Sequence, residues 1–170
     1  YSYNVLGELI SQTDAKSQTS TLTYDVLGRL VQRVEADKTS TWVYDTAAYG
    51  VGKLASTATD QGYAKTYTYD SLGRPISSST TIDSVTETIA NTYDANGRVD
   101  TLTYPSGFEV QYIYTALGYE HQLQDASTSA VFWQADTRDQ ELRLLQSTAG
   151  NGIVTTRTFD QQTGTIDAIK

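Results

Sequence analysis

The sequence predicts an all-β chain of tandem antiparallel β-hairpins in a single curved sheet. Three observations carry this. A seven-residue stretch holding Tyr, Asp, Gly and Arg returns at a near-constant step, the mark of a repeat array. The segments before it alternate with a period of two. The composition, with 13 Tyr, only 3 Phe and 38% hydrophobic residues, lacks the aliphatic material of a thick two-layer core.

The repeated stretch is Tyr24-Asp25-Val26-Leu27-Gly28-Arg29-Leu30. It returns as Tyr69-Asp70-Ser71-Leu72-Gly73-Arg74-Pro75 and as Tyr93-Asp94-Ala95-Asn96-Gly97-Arg98-Val99. Looser copies begin at Tyr3-Asn4 and at Tyr114-Thr115, the latter with Gly118. A stretched copy begins at Tyr44-Asp45 and reaches its glycine late, at Gly50 or Gly52. The last copy runs from Phe159-Asp160 to Gly164, and a decayed one is expected at Ala135-Asp136 with Leu142 behind it. Starts near 3, 24, 44, 69, 93, 114, 135 and 159 make about eight repeats across residues 1–170.

Each copy reads as strand, tight turn, strand, which gives roughly 16 strands. Phe108, Val110, Tyr112 and Tyr114 alternate with Glu109, Gln111 and Ile113, and Trp42 and Tyr44 with Thr41 and Val43. The aromatic residues should share one face and Thr, Gln and charged residues the other. In the turn, an Asp carboxylate accepts from a backbone N–H two residues on. The glycine three residues later supplies a left-handed backbone. Asp25, Asp70, Asp94 and Asp160 are thus turn residues, and Gly28, Gly73, Gly97, Gly118 and Gly164 close the turns. Arg29, Arg74 and Arg98 follow the glycine and should reach neighbouring repeats, as in Arg29 with Asp45. Stacked tyrosines are expected to form the main ladder, since aromatic pairs contribute about 0.5–1.5 kcal/mol beyond burial.

Irregular stretches read as loops or strand ends. Thr46 to Gly52 is an enlarged turn, Gly150-Asn151-Gly152 a hairpin turn, and Pro75 opens a second strand. Leu142-Arg143-Leu144-Leu145 is expected as strand. The chain opens inside a repeat, at Tyr1-Ser2-Tyr3, and stops soon after one, at Lys170, which suggests a fragment of a longer array.

Cysteine is absent, which excludes disulfides, thiolate metal sites and cysteine nucleophiles. Net charge is −8, with no basic cluster, so nucleic acid and anionic membranes are poor partners. His121, the only histidine, has no second histidine for a metal or catalytic pair, and reads as a strand residue. Asp136, Asp139 and Glu141 form a small acidic group without the spacing of a calcium loop. No catalytic residue, cofactor site or metal site is assigned, and the chain is not expected to be an enzyme. Trp42 and Trp133 could stack on sugar rings, but both occupy the ladder position two before a repeat start.

The Tyr-Asp-x-x-Gly-Arg pattern over these copies resembles the RHS/YD-repeat family, which includes bacterial Rhs polymorphic toxins, the BC components of insecticidal toxin complexes, and teneurins. The Tyr104-Pro105-Ser106-Gly107 turn is similar to one common in that family. The resemblance implies a spiralling sheet that closes into a hollow shell around a C-terminal toxin or effector domain, on a secreted or cell-surface bacterial protein. It implies as partners the remainder of the shell and the enclosed effector. The family's Asp-Pro self-cleavage motif is absent here, so activities tied to it are not carried over. A surface module binding glycans or a cell-surface receptor through the aromatic face is the alternative. A cut array also exposes sheet edges, so edge-to-edge self-association is expected.

Overall fold

The computed structural model describes residues 1–170, all as strands, turns and bends, in two compact units, Tyr1–Ala90 and Asn91–Lys170. The first unit holds β1 (Ser2–Tyr3), β2 (Leu9–Thr13), β3 (Thr19–Tyr24), β4 (Leu30–Val34), β5 (Thr39–Tyr44), β6 (Leu54–Thr59), β7 (Tyr63–Tyr69), β8 (Pro75–Ile82) and most of β9 (Val85–Tyr93). The second holds β10 (Val99–Thr103), β11 (Glu109–Tyr114), β12 (Glu120–Asp125), β13 (Val131–Arg138), β14 (Leu144–Ala149), β15 (Val154–Phe159) and β16 (Ile166–Ile169). Strand order is chain order in one open antiparallel sheet.

Short connections dictate this meander, because each strand pairs with the one that precedes it. Within the first unit, Thr21 faces Val34, Thr41 faces Ala58, and Tyr67 faces Ser78. Within the second, Leu102 faces Val110 and Tyr112 faces Leu123. Burial alternates along β3 and β15, as a two-faced strand requires. In the first unit Leu22, Tyr24, Arg33, Trp42, Tyr44, Tyr67 and Tyr69 come out on one face. The other face is a field of hydroxyls that pair across strands, Thr13 with Thr19, Thr68 with Ser77, and Thr81 with Thr86. In the second unit amides serve the same purpose, Gln124 with Gln111 and Gln122 with Gln134.

There is almost no core. Only Gly50, Ala55, Ala135 and Ser147 are buried, and no side chain is fully enclosed. The chain exposes 11078 Å². A compact monomer of 18.7 kDa would expose about 8,300 Å².

The repeat turns at residues 25–29, 45–53, 70–74, 115–119 and 139–143 are each followed by a bulge that the sequence did not announce. Tyr24 faces Leu30 while Thr23 faces Gln32, so Val31 is the extra residue. Ala55, Ile76, His121 and Leu145 hold the same place in later hairpins. His121 is therefore one of a series of bulge residues rather than an isolated functional group.

Two expectations are corrected in the second unit. The decayed repeat does not turn at Ala135-Asp136. Its turn is Asp139–Arg143, closed by the N–H of Asp139 to the carbonyl of Arg143 at 3.1 Å. A second bulge, in β13 around Asp136, lengthens the preceding strand. Leu142 and Arg143 consequently belong to the turn rather than to a strand. Leu142 takes the glycine place with φ 68°.

A leucine in that conformation costs about 1–2 kcal/mol. Leu142 is well exposed, so little packing is lost on its removal. Leu142→Gly should stabilise the chain by about 0.5–1 kcal/mol, and Gly97→Leu at φ 81° should destabilise it by about 1–2 kcal/mol. Denaturant midpoints check both; a lowered midpoint for Leu142→Gly contradicts the assignment.

Candidate functional site

The features that recur with the sequence are a clamp at each repeat turn. In the Asp25 turn, the N–H groups of Leu27 and Arg29 both donate to Asp25 Oδ1, at 2.9 and 3.0 Å. Asp25 Oδ2 accepts from Arg29 Nε at 2.7 Å. The backbone closes the same loop, Gly28 N–H to the Asp25 carbonyl at 3.0 Å and Asp25 N–H to the Arg29 carbonyl at 2.9 Å. One carboxylate thus fixes both the turn and the arginine. The Asp70–Arg74, Asp94–Arg98 and Asp139–Arg143 turns repeat all of these bonds.

Held in this way, the arginine reaches the next repeat. Arg29 donates to both oxygens of Asp45, with Nη2 to Oδ2 at 2.6 Å, and its guanidinium lies 4.4 Å from the centre of the Tyr44 ring. Arg98 lies 4.2 Å over Tyr114, and Arg143 lies 4.8 Å over Phe159. Lys53 fills the arginine place in the stretched repeat, at 5.7 Å from Tyr69. The rings of Tyr44, Tyr69, Tyr114 and Phe159 therefore meet the preceding cation, where the sequence suggested tyrosine stacked on tyrosine. The tyrosine hydroxyl completes the link by donating to a backbone carbonyl of the preceding repeat. Tyr24 bonds Leu9, Tyr69 bonds Leu54 and Tyr114 bonds Val99, at 2.7–2.9 Å.

The turn glycines lie under the reaching side chains. A Cβ on Gly28 would come within 3.0 Å of Glu8, and one on Gly73 within 3.1 Å of Lys53. Gly118 and Gly164 face Arg98 and Arg143 in the same way. Gly50, in the stretched turn, is packed against Tyr69 and Ala47, whereas Gly52 supplies the left-handed closing residue. Tyr93 closes β9 directly ahead of the Asp94 turn, and Gly97 closes that turn.

The departures from the pattern keep its geometry by other chemistry. In the first repeat Asn4 replaces Asp and Glu8 replaces Arg, and the Asn4 amide donates to Glu8 at 2.5 Å. Arg138 stands where the seventh repeat would have tyrosine. Its Nη2 donates to the Glu120 carbonyl at 3.2 Å, the acceptor equivalent to Leu9, Leu54 and Val99. Asp160 sits in a wider turn and accepts from the N–H groups of Gln162 and Thr163 instead of an arginine.

The remaining candidates do not assemble into a catalytic group. Asp139 is committed to its turn, Glu141 pairs with Arg143, and Asp136 accepts from Gln134 and Thr148. Trp42 and Trp133 are half-buried strand residues facing Thr57 and Leu123. Trp133 is five positions before Arg138 rather than two before a repeat start, and the β13 bulge returns it to the aromatic face.

The backbone N–H of Arg29 holds the Asp25 carboxyl below its ordinary value, and Arg98 N–H does the same for Asp94. The Arg29 guanidinium lowers Asp45. The Ser127 hydroxyl and neighbouring N–H groups bring Asp125 down to about 2.

A sequence model of the RHS repeat matches residues 3–40. No curated protein matches the chain by sequence. Among solved structures, the crystal structure of TcdB2-TccC3 without its hypervariable C-terminal region is similar, with TM-score 0.77 and 17% identity over 98% of this chain. TcdB2-TccC3-TEV gives TM-score 0.78 and 16% identity over 99%, and TcdB2-TccC3-Cdc42 gives 0.61 and 16% over 95%. The chain spans about 10% of the length of each.

These carboxylates carry folded-state values below the ordinary range. Their contribution to stability is present above the unfolded value of about 4 and is lost as pH falls through the folded values. Denaturation midpoints should therefore drop between pH ~4 and ~2, and Asp94→Asn should flatten that slope. A midpoint independent of pH over this window contradicts the clamp electrostatics.

Proposed function

We propose that this chain, an array of RHS repeats with the fold seen in TcdB2-TccC3, is a non-catalytic segment of a shell wall. In this reading the shell encloses a C-terminal toxin or effector domain of a secreted or surface-exposed protein and keeps it from solvent and proteases. The observation that carries it is a run of hairpins in each unit, linked by clamps such as Arg29 with Asp45 and Arg98 with Tyr114, with one face dominated by hydroxyls and amides. A wall of this kind needs continuity and a surface that does not grip an unfolded chain, and it needs no reactive group. Among the similar structures, one is TcdB2-TccC3 without a hypervariable C-terminal region and another is TcdB2-TccC3-Cdc42.

The test is protease protection in the parent polypeptide that carries this array. The segment downstream should survive digestion when the array is intact. It should be degraded when Arg29, Arg74 and Arg98 are all replaced by Ala, because the wall is then unclamped. Equal digestion of the segment in both proteins overturns the shell reading.

A further inference from the structure

The clamped turns of the first unit leave a row of apolar side chains in water. Connections alternate between the two ends of the strands, so the repeat turns at residues 4–8, 25–29, 45–53 and 70–74 all lie along one rim. Val5, Leu6, Val26, Leu27, Tyr49, Val51 and Leu72 project from it and are 63–101% exposed. The turns of the opposite rim, at residues 14–18, 35–38, 60–62 and 83–84, have no apolar side chain larger than alanine, and the exposed Ile82–Val85 pair flanks only the last of them.

We infer that this rim is an interface that docks onto the same rim of a second copy of the array. Three features select that occupant. The first is period: the turns recur every two strands, about 9.6 Å apart. A partner that meets them all must repeat at the same step, as another row of these turns does. The second is charge. The apolar rim carries four acids (Glu8, Asp25, Asp45, Asp70) against three bases (Arg29, Lys53, Arg74), so it is nearly neutral on a chain of net charge −8. The opposite rim carries five acids (Asp14, Glu35, Asp37, Asp60, Asp83) against Lys16 and Lys38. Two copies of the apolar rim can approach each other, whereas two copies of the opposite rim repel. The third is area. Seven side chains at roughly 60–120 Å² each offer on the order of 400–800 Å² of apolar surface. That reaches the scale of about 800 Å² per partner in a standard interface, without the surplus of an obligate one. Association is thus reversible and concentration dependent. An isologous pairing of the two rows also closes after two copies.

This contact is separate from pairing of strand edges, and it does not depend on any cargo. The test uses the absence of cysteine from the chain. Leu27→Cys on the apolar rim should form disulfide-linked dimers under mild oxidation, and Lys16→Cys on the opposite rim should not. By sedimentation velocity the wild type should associate as concentration rises. Leu6→Asp, Leu27→Asp and Leu72→Asp together should weaken that association at least tenfold. Ser2→Pro, which blocks the β1 edge, should leave it unchanged. All substituted tips are exposed, and β-sheet circular dichroism checks that the fold persists. Equal cross-linking on both rims, a wild type that stays monomeric, or association lost with Ser2→Pro and kept in the Asp variant each overturns the inference. So does a wild-type monomer that floats with neutral lipid vesicles, which would make the rim a lipid-binding surface.

Discussion

A single carboxylate position controls this sheet. Asp25, Asp70, Asp94 and Asp139 each use one oxygen to fix two backbone N–H groups and the other to hold the arginine that follows. The turn then has one shape and the guanidinium one direction. That direction points over the ring of the next repeat, whose hydroxyl reaches back to a backbone carbonyl. Local turn chemistry is thereby converted into contact between repeats, which a meander of hairpins otherwise makes only through its ladder.

The clamp matters because burial contributes so little. A sheet with almost no enclosed side chains cannot rely on the hydrophobic term that stabilises compact domains. Partly exposed cation–π contacts and phenol hydrogen bonds are each worth only about 0.5–1.5 kcal/mol. Repetition makes them sufficient, since stability in a repeat array is approximately the sum of unit and nearest-neighbour terms. The same logic accounts for substitutions that keep geometry while changing chemistry. Arg138 replaces a phenol and still reaches the Glu120 carbonyl.

The fold was legible because its signals are local and repeated. Tyr, Asp and Gly in one turn specify a hairpin, and successive hairpins specify a meander. The Arg29 to Asp45 link followed from the repeat step alone. The bulges were not legible, because Val31, Ala55 and His121 share no side-chain chemistry and are defined only by register. The seventh turn was misplaced for a related reason. Its tyrosine is Arg138, its glycine is Leu142, and an extra residue in β13 shifts the spacing. The aromatic partners were misjudged because a period places tyrosines at one level without saying that a cation of the preceding repeat covers the ring.

The central claim is that the cation-to-ring contact couples one repeat to the next. A double-mutant cycle on Arg98→Ala and Tyr114→Ala, read by urea denaturation, measures that coupling directly. The account predicts a coupling of about 0.5–1 kcal/mol between the two positions. Strictly additive effects would mean that the repeats are joined by their backbone ladder alone, and would contradict it.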